Sequence, residues 1–135
     1  MTAAAMCLAI NLYWEARSSD SLSEWYAIAW VVQNRVEAPQ YPDTVCTVIR
    51  QPHQFSWSAR HWKPVIDGEP DRRAWVRIKR FAAWFVQAVN AGVAVDPTNG
   101  ALHYASGKAP WWAVGMQVAA VEGGHVFYSS NGSQK

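Results

Sequence analysis

Between Ala3 and Trp14 only Asn11 interrupts an apolar run, and that run ends on Glu15, the first charged side chain after Met1. The pattern predicts a buried helix over about Ala3 to Ala16. Leu8, Leu12 and Glu15 fall on one stripe of it, so the carboxyl continues an apolar ridge rather than a solvated one. Burial disfavours a carboxylate, and so do the open carbonyls at the end of a helix. A carboxyl kept protonated near neutral pH is what general-acid cleavage of a glycosidic bond requires. The plainer reading is a glutamate at a helix end, paired with Arg17.

At 135 residues and 15.1 kDa the chain has the size of one domain, residues 1–135 with a polar tail over 131–135. Half of the residues are apolar and 16% are charged, which excludes a disordered chain. Nine Trp and five Tyr serve either a ring-rich core or a groove that stacks on planar groups and sugar faces. A net charge of +2 is too small to point to nucleic acid, although seven of the twelve basic residues fall between Arg60 and Arg80. Such a run is a solvated helix face or a side turned to an anionic envelope polymer. Cys7 and Cys46 permit one disulfide without implying it, and Cys7 sits where a thiol can simply pack. The N-terminus lacks a basic leader and an A-x-A cleavage site, and its apolar run is too short to cross a bilayer. The expectation is synthesis in the cytoplasm without a Sec signal, and no stable membrane insertion.

Ser18, Ser19, Asp20 and Ser21 break the first helix, and Ser21 with Glu24 reads as a capping box opening a second helix to about Glu37. Leu22, Trp25, Ala29, Val32 and Val36 supply its core stripe, and Pro39 and Pro42 end it. Glu24 therefore has a structural task, which weakens its claim to be a second catalytic acid. Asp43 reads as the cap of a short helix from Thr44 to Ile49. Periodicity fails from Gln51 to Pro70, apart from a short strand at Phe55 to Trp57. Asp71 caps a long helix to about Asn90, with Gly92 just past its end. Ala101 to Ala105 and His125 to Tyr128 read as strands, and Trp111 to Val121 as weak helix or coil. The sum is a helix-rich α+β domain with one small sheet.

The four histidines are scattered, and neither H-E-x-x-H nor paired C-x-x-C occurs, so no metal and no cofactor is expected. A G-x-S-x-G elbow is missing, and Gly123-Gly124 is weak as a phosphate loop. What remains is an ordered series of short segments. Asn11-Leu12-Tyr13-Trp14-Glu15-Ala16-Arg17 is followed by Ala29-Trp30-Val31-Val32-Gln33-Asn34-Arg35-Val36, then by Tyr41-Pro42-Asp43-Thr44-Val45-Cys46 and Gln54-Phe55-Ser56-Trp57. Thr98-Asn99-Gly100-Ala101-Leu102-His103-Tyr104 and Gly124-His125-Val126-Phe127-Tyr128 close it. The series spans nearly the whole chain and resembles the SleB-type cell wall hydrolases, which include the catalytic domains of spore cortex-lytic enzymes.

The resemblance implies a lysozyme-like or resuscitation-factor-like α+β fold, helix-rich with one small antiparallel sheet. It implies cleavage of peptidoglycan glycan strands between N-acetylmuramic acid and N-acetylglucosamine, with Glu15 as the catalytic acid. The implied outcome is lytic transglycosylation, in which the muramic acid's own 6-hydroxyl attacks and a 1,6-anhydro product remains. One carboxyl then serves first as acid and then as base, unlike the pair of ordinary glycosidases. Where the family continues with Gly-Glu and then Gly-Gln, this chain has Ser18-Ser19 and Glu24-Trp25, leaving Glu15 fewer acidic neighbours. Hydrolysis by water and a non-catalytic glycan-binding module are the alternatives. With neither leader nor anchor the chain resembles a phage endolysin. It would act as a monomer on the wall, reaching the periplasm from the host cytoplasm through a membrane lesion. A bacterial remodelling enzyme trimmed to its catalytic domain is the other origin.

For substrate, Gln54, Phe55, Ser56 and Trp57 would offer a polar edge and aromatic platforms to N-acetyl groups and ring faces, or else form a core strand. His103 and Tyr104 alternate along a strand, so one faces the cleft while the other packs inward. His125 and Tyr128 carry the same alternatives. Arg17 would orient Glu15, bind a stem-peptide or lactyl carboxylate, or form a surface ion pair. Trp111 and Trp112, beside Pro110, are candidates for the rim of the groove.

Overall fold

The computed structural model describes residues 1–51 and 63–129 of the chain. Gln54, Phe55, Ser56 and Trp57, with the strand expected there, and the tail 131–135 lie outside these residues. Helices α1 (Ala3–Ala16), α2 (Leu22–Glu37), α3 (Val45–Ile49) and α4 (Gly68–Asn90) precede strands β1 (His103–Ser106), β2 (Gln117–Glu122) and β3 (His125–Ser129). The strands form an antiparallel sheet in the order β1-β3-β2. Among the described residues, no helix is long and apolar enough to cross a membrane.

The apolar run becomes the central helix. Thr2 caps α1, its Oγ1 accepting from the Ala5 amide at 3.1 Å, and α2, α3 and α4 pack around it. Leu8, Leu12 and Tyr13 join Trp25, Ile28, Ile49, Ile78 and Phe127 in one continuous core. At the far end the Trp25 indole Nε1 donates to the Ala16 carbonyl at 3.1 Å, satisfying one of the acceptors that a helix end leaves open. Cys7 and Cys46 are joined, with Cα atoms 5.3 Å apart, and this disulfide ties α1 to α3.

Three local expectations are corrected. The short helix α3 is capped by Thr44 rather than Asp43, since Thr44 Oγ1 accepts from the Thr47 amide at 3.1 Å. Helix α4 begins at Gly68, before Asp71, which reaches back from inside the first turn to accept from the Asp67 amide at 3.0 Å. The segment expected as weak helix or coil carries β2, behind a short 3₁₀ turn at Trp111–Ala113. A bulge between Val118 and Ala120 interrupts its alternation with β3, so period two is lost over a strand of six residues. Gly123-Gly124 is the tight turn of the β2–β3 hairpin, not a phosphate loop.

Candidate active site

Glu15 stands one residue before the end of α1 and is half-buried, although Leu8 and Leu12 on its stripe are fully buried. The Arg35 guanidinium and the Tyr104 hydroxyl both feel its charge. Glu15 also lines a cavity of about 400 Å³, walled by Trp14, Arg17 and Ser18, and by Pro70 and Asp71 from α4.

Arg35 continues the buried stripe of Trp25, Ile28 and Val32 on α2 and is only 4% exposed. Its Nε donates to the Leu102 carbonyl at 2.8 Å, and its guanidinium lies 5.1 Å from the centre of the Tyr41 ring. Burial lowers its pKa, while Tyr41, Tyr104 and Glu15 act to keep the charge. The neighbouring Asn34 amide donates to Asp96 Oδ2 at 2.9 Å and to the Ala101 carbonyl at 3.1 Å. These consecutive residues clamp the segment that leads into β1 and so set where Tyr104 stands. Neither was singled out for a role from the sequence. A guanidinium on an otherwise apolar stripe was the available signal.

Tyr104 is half-buried with its hydroxyl shut off from solvent, and its pKa is raised well above the ordinary phenol value, first by desolvation and then by the charge of Glu15. It keeps its proton and can act as a lasting donor toward the carboxyl, with the Asn11 amide beside it. The surroundings of Glu15 therefore do not all push one way. Burial and the helix end favour the acid, but Arg35 favours the anion, and the Trp25 bond to Ala16 removes part of the carbonyl field.

The other expected site residues divide. Arg17 pairs with Asp71 at 3.3 Å and covers the Tyr13 ring at 4.9 Å, at the cavity wall. Its partner Asp71, read from the sequence only as a cap, is thereby brought into the cavity of Glu15. Asp71 is held below the usual carboxylate range, first by the Asp67 amide, then opposed by desolvation and supported by Arg17. His103 is half-buried against Trp112, ring centres 5.6 Å apart, and burial followed by Arg35 lowers its pKa. His125 and Tyr128, which the sequence leaves between the cleft and the core, are buried, at 8% and 4% exposure. His125 Nδ1 is bound to Glu24 Oε2, and its ring packs behind Tyr104 at 5.5 Å. Tyr128 meets the edge of Trp112 at 5.6 Å, while Trp111 is 86% exposed.

The family model for cell wall hydrolases matches residues 19–128. The chain belongs to the cell wall hydrolase family. It is accordingly a peptidoglycan-degrading enzyme. Two solved structures are similar to this cell wall hydrolase. One is the catalytic domain of the Bacillus cereus SleB protein, with 24% identity, a TM-score of 0.63, and coverage of 93% of this chain and 89% of that one. The other is the catalytic domain of the germination-specific lytic transglycosylase SleB from Bacillus anthracis, also at 24% identity and a TM-score of 0.63, covering 96% of this chain and 97% of that one. They show that the hydrolase has the lysozyme-like α+β fold of these domains. Among curated proteins nothing matches. The matched segment opens at Ser19, just past Glu15, so the case for that residue rests on its surroundings.

Proposed function

We propose that this cell wall hydrolase cuts the bond between N-acetylmuramic acid and N-acetylglucosamine by lytic transglycosylation, with Glu15 as the group that moves the proton. The observation that carries this is the position of Glu15, which lines an open cavity and is within electrostatic reach of Arg35 and Tyr104. Glu15 gives its proton to the glycosidic oxygen as the bond from that oxygen to C1 of the muramic acid breaks. The 6-hydroxyl oxygen of the same sugar then bonds to C1, and its proton passes to the Glu15 carboxylate. The acid is restored and no water is consumed. A group used in both directions is served by opposing influences, burial toward the acid and Arg35 toward the anion. The Tyr104 hydroxyl, which keeps its proton, would donate to the carboxyl and hold it in one orientation. Arg17 at the cavity wall and His103 near Arg35 are proposed to contact the glycan. Gln54, Phe55, Ser56 and Trp57 are proposed to add the stacking platform. The solved relative named as a lytic transglycosylase supports the same direction.

Hydrolysis by water is the rival, and Asp71 in the same cavity is what favours it. A second carboxylate there would have to activate water. Both Asp71 oxygens are already engaged, one by Arg17 and one by the Asp67 amide, which weighs against that role. Mass spectrometry of muropeptides released from purified sacculi separates the two. The proposal requires anhydro ends, lighter than reducing ends by one water, and release of reducing ends alone would end it.

A further inference from the structure

Away from Glu15, between the start of α2 and the outer face of α4, runs a groove of about 680 Å³. Trp25, Tyr26, Phe81 and Trp84 line it, with Leu22 at its lip. Leu22 is 58% exposed and Trp84 52%, and the Trp84 ring lies 6.0 Å from Tyr26 and 5.8 Å from Phe81. The Tyr26 hydroxyl donates to the Val95 carbonyl at 2.7 Å and accepts from its amide at 2.8 Å, which fixes the ring at the groove wall. A solvated helix face does not gather tryptophan, phenylalanine and leucine in one place. Two guanidiniums, Arg77 and Arg80, line this groove, and Arg73 lies one turn earlier on the ridge that continues to Trp84. Arg77 meets Asp20 at 3.2 Å and lies 5.4 Å over the Trp25 ring.

We propose that this face docks on an anionic lipid bilayer, with the exposed rings and aliphatic groups at the acyl boundary and the arginines on lipid phosphates. Charge complementarity selects the occupant, because the arginines that flank the apolar groove repel a cationic partner and attract an anionic one. A glycan strand fits poorly. Its hydroxyls need many hydrogen-bond partners, and beside the guanidiniums the groove is mainly ring and aliphatic surface, its Tyr26 hydroxyl already bound to Val95 and its Trp25 indole to Ala16. The basic stretch of α4 thus acquires a role independent of Glu15, since adsorption can be read without any cleavage.

The test is co-sedimentation of the intact protein with vesicles of phosphatidylcholine alone or mixed with phosphatidylglycerol. Binding is expected only to the phosphatidylglycerol vesicles, and it should weaken as salt is raised. Arg80→Glu should weaken it on the order of twentyfold by removing one attraction and adding one repulsion. Trp84→Ser should weaken it as well, and both variants should keep the unmodified protein's rate on sacculi. The proposal is overturned by no binding to either vesicle, by equal binding to both, or by variants that bind like the unmodified protein. It is also overturned if the variants lose pelleting with sacculi while vesicle binding stays intact, which would assign the face to a wall polymer.

Discussion

Glu24 Oε2, near the start of α2, is bound to His125 Nδ1 at the start of β3, so two elements 101 positions apart meet through a buried pair. Ser19 Oγ donates to the same carboxyl at 2.6 Å and the Gly124 amide at 3.2 Å. The His125 ring in turn backs Tyr104, so this pair supports the wall behind Glu15.

Burial raises the Glu24 pKa, but the bonds from Ser19, His125 and Gly124 outweigh it and the net direction is down. A carboxyl whose folded pKa lies below its unfolded value stabilises the fold above the unfolded pKa. That stabilisation is lost as pH falls through the folded value. Thermal unfolding midpoints should therefore drop on acidification. Glu24→Gln should flatten that acid dependence and cost roughly 2–4 kcal/mol at neutral pH. The charge that His125, Ser19 and Gly124 surround is lost, and one oxygen becomes an amide donor facing other donors. An unchanged acid slope in the variant would refute this assignment.

Gly123 turns the β2–β3 hairpin at φ 58°, and a Cβ placed there would come within 2.3 Å of Glu24 Oε1. The carboxyl is pinned by its bonds and cannot move aside at little cost. Gly123→Ala should lose about 2–3 kcal/mol, from the left-handed backbone and the clash together. Combined with Glu24→Ala the loss should be clearly less than additive. Strict additivity in denaturant melts would show that the clash is not the cause.

The disulfide closes a loop with a sequence separation of 39 between Cys7 and Cys46. Replacing both cysteines by alanine should cost about 3–4 kcal/mol by the chain-entropy argument. The unmodified protein should lose a similar amount in reductant, and the double variant should be indifferent to it. A denaturation midpoint unmoved by reductant would contradict the link.

Arg35 favours the anion of Glu15, so Arg35→Met should move the limb of the pH–rate profile that belongs to Glu15 to higher pH. The rate on sacculi should fall by roughly tenfold or more, because the Leu102 carbonyl also loses its donor and β1 is less well placed. A lower rate with an unshifted profile would reduce Arg35 to a structural role.

How much of this could be read from the chain depends on the range of each signal. The bounds of α1 and α2 follow from apolar period and from Thr2 and Ser21, all local features. The capping box was legible in half. Ser21 accepts from the Glu24 amide at 3.1 Å, but the Glu24 carboxyl turns to His125, a partner no local pattern could reveal. Strand β2 was hidden by its bulge, and Asp71 by a reach backward into its own helix. Glu15 was visible because it ends an apolar run. Arg35 and Tyr104, which complete its surroundings, approach it only in the folded chain.

The most direct measurement is the clearing of purified sacculi by Glu15→Gln, whose amide keeps the shape of the side chain but cannot deliver the proton. The rate should fall by at least about a hundredfold. Pelleting with sacculi and the thermal unfolding midpoint should stay at the values of the unmodified protein. Clearing by the variant at an undiminished rate would show that the glycan bond is broken by some other group.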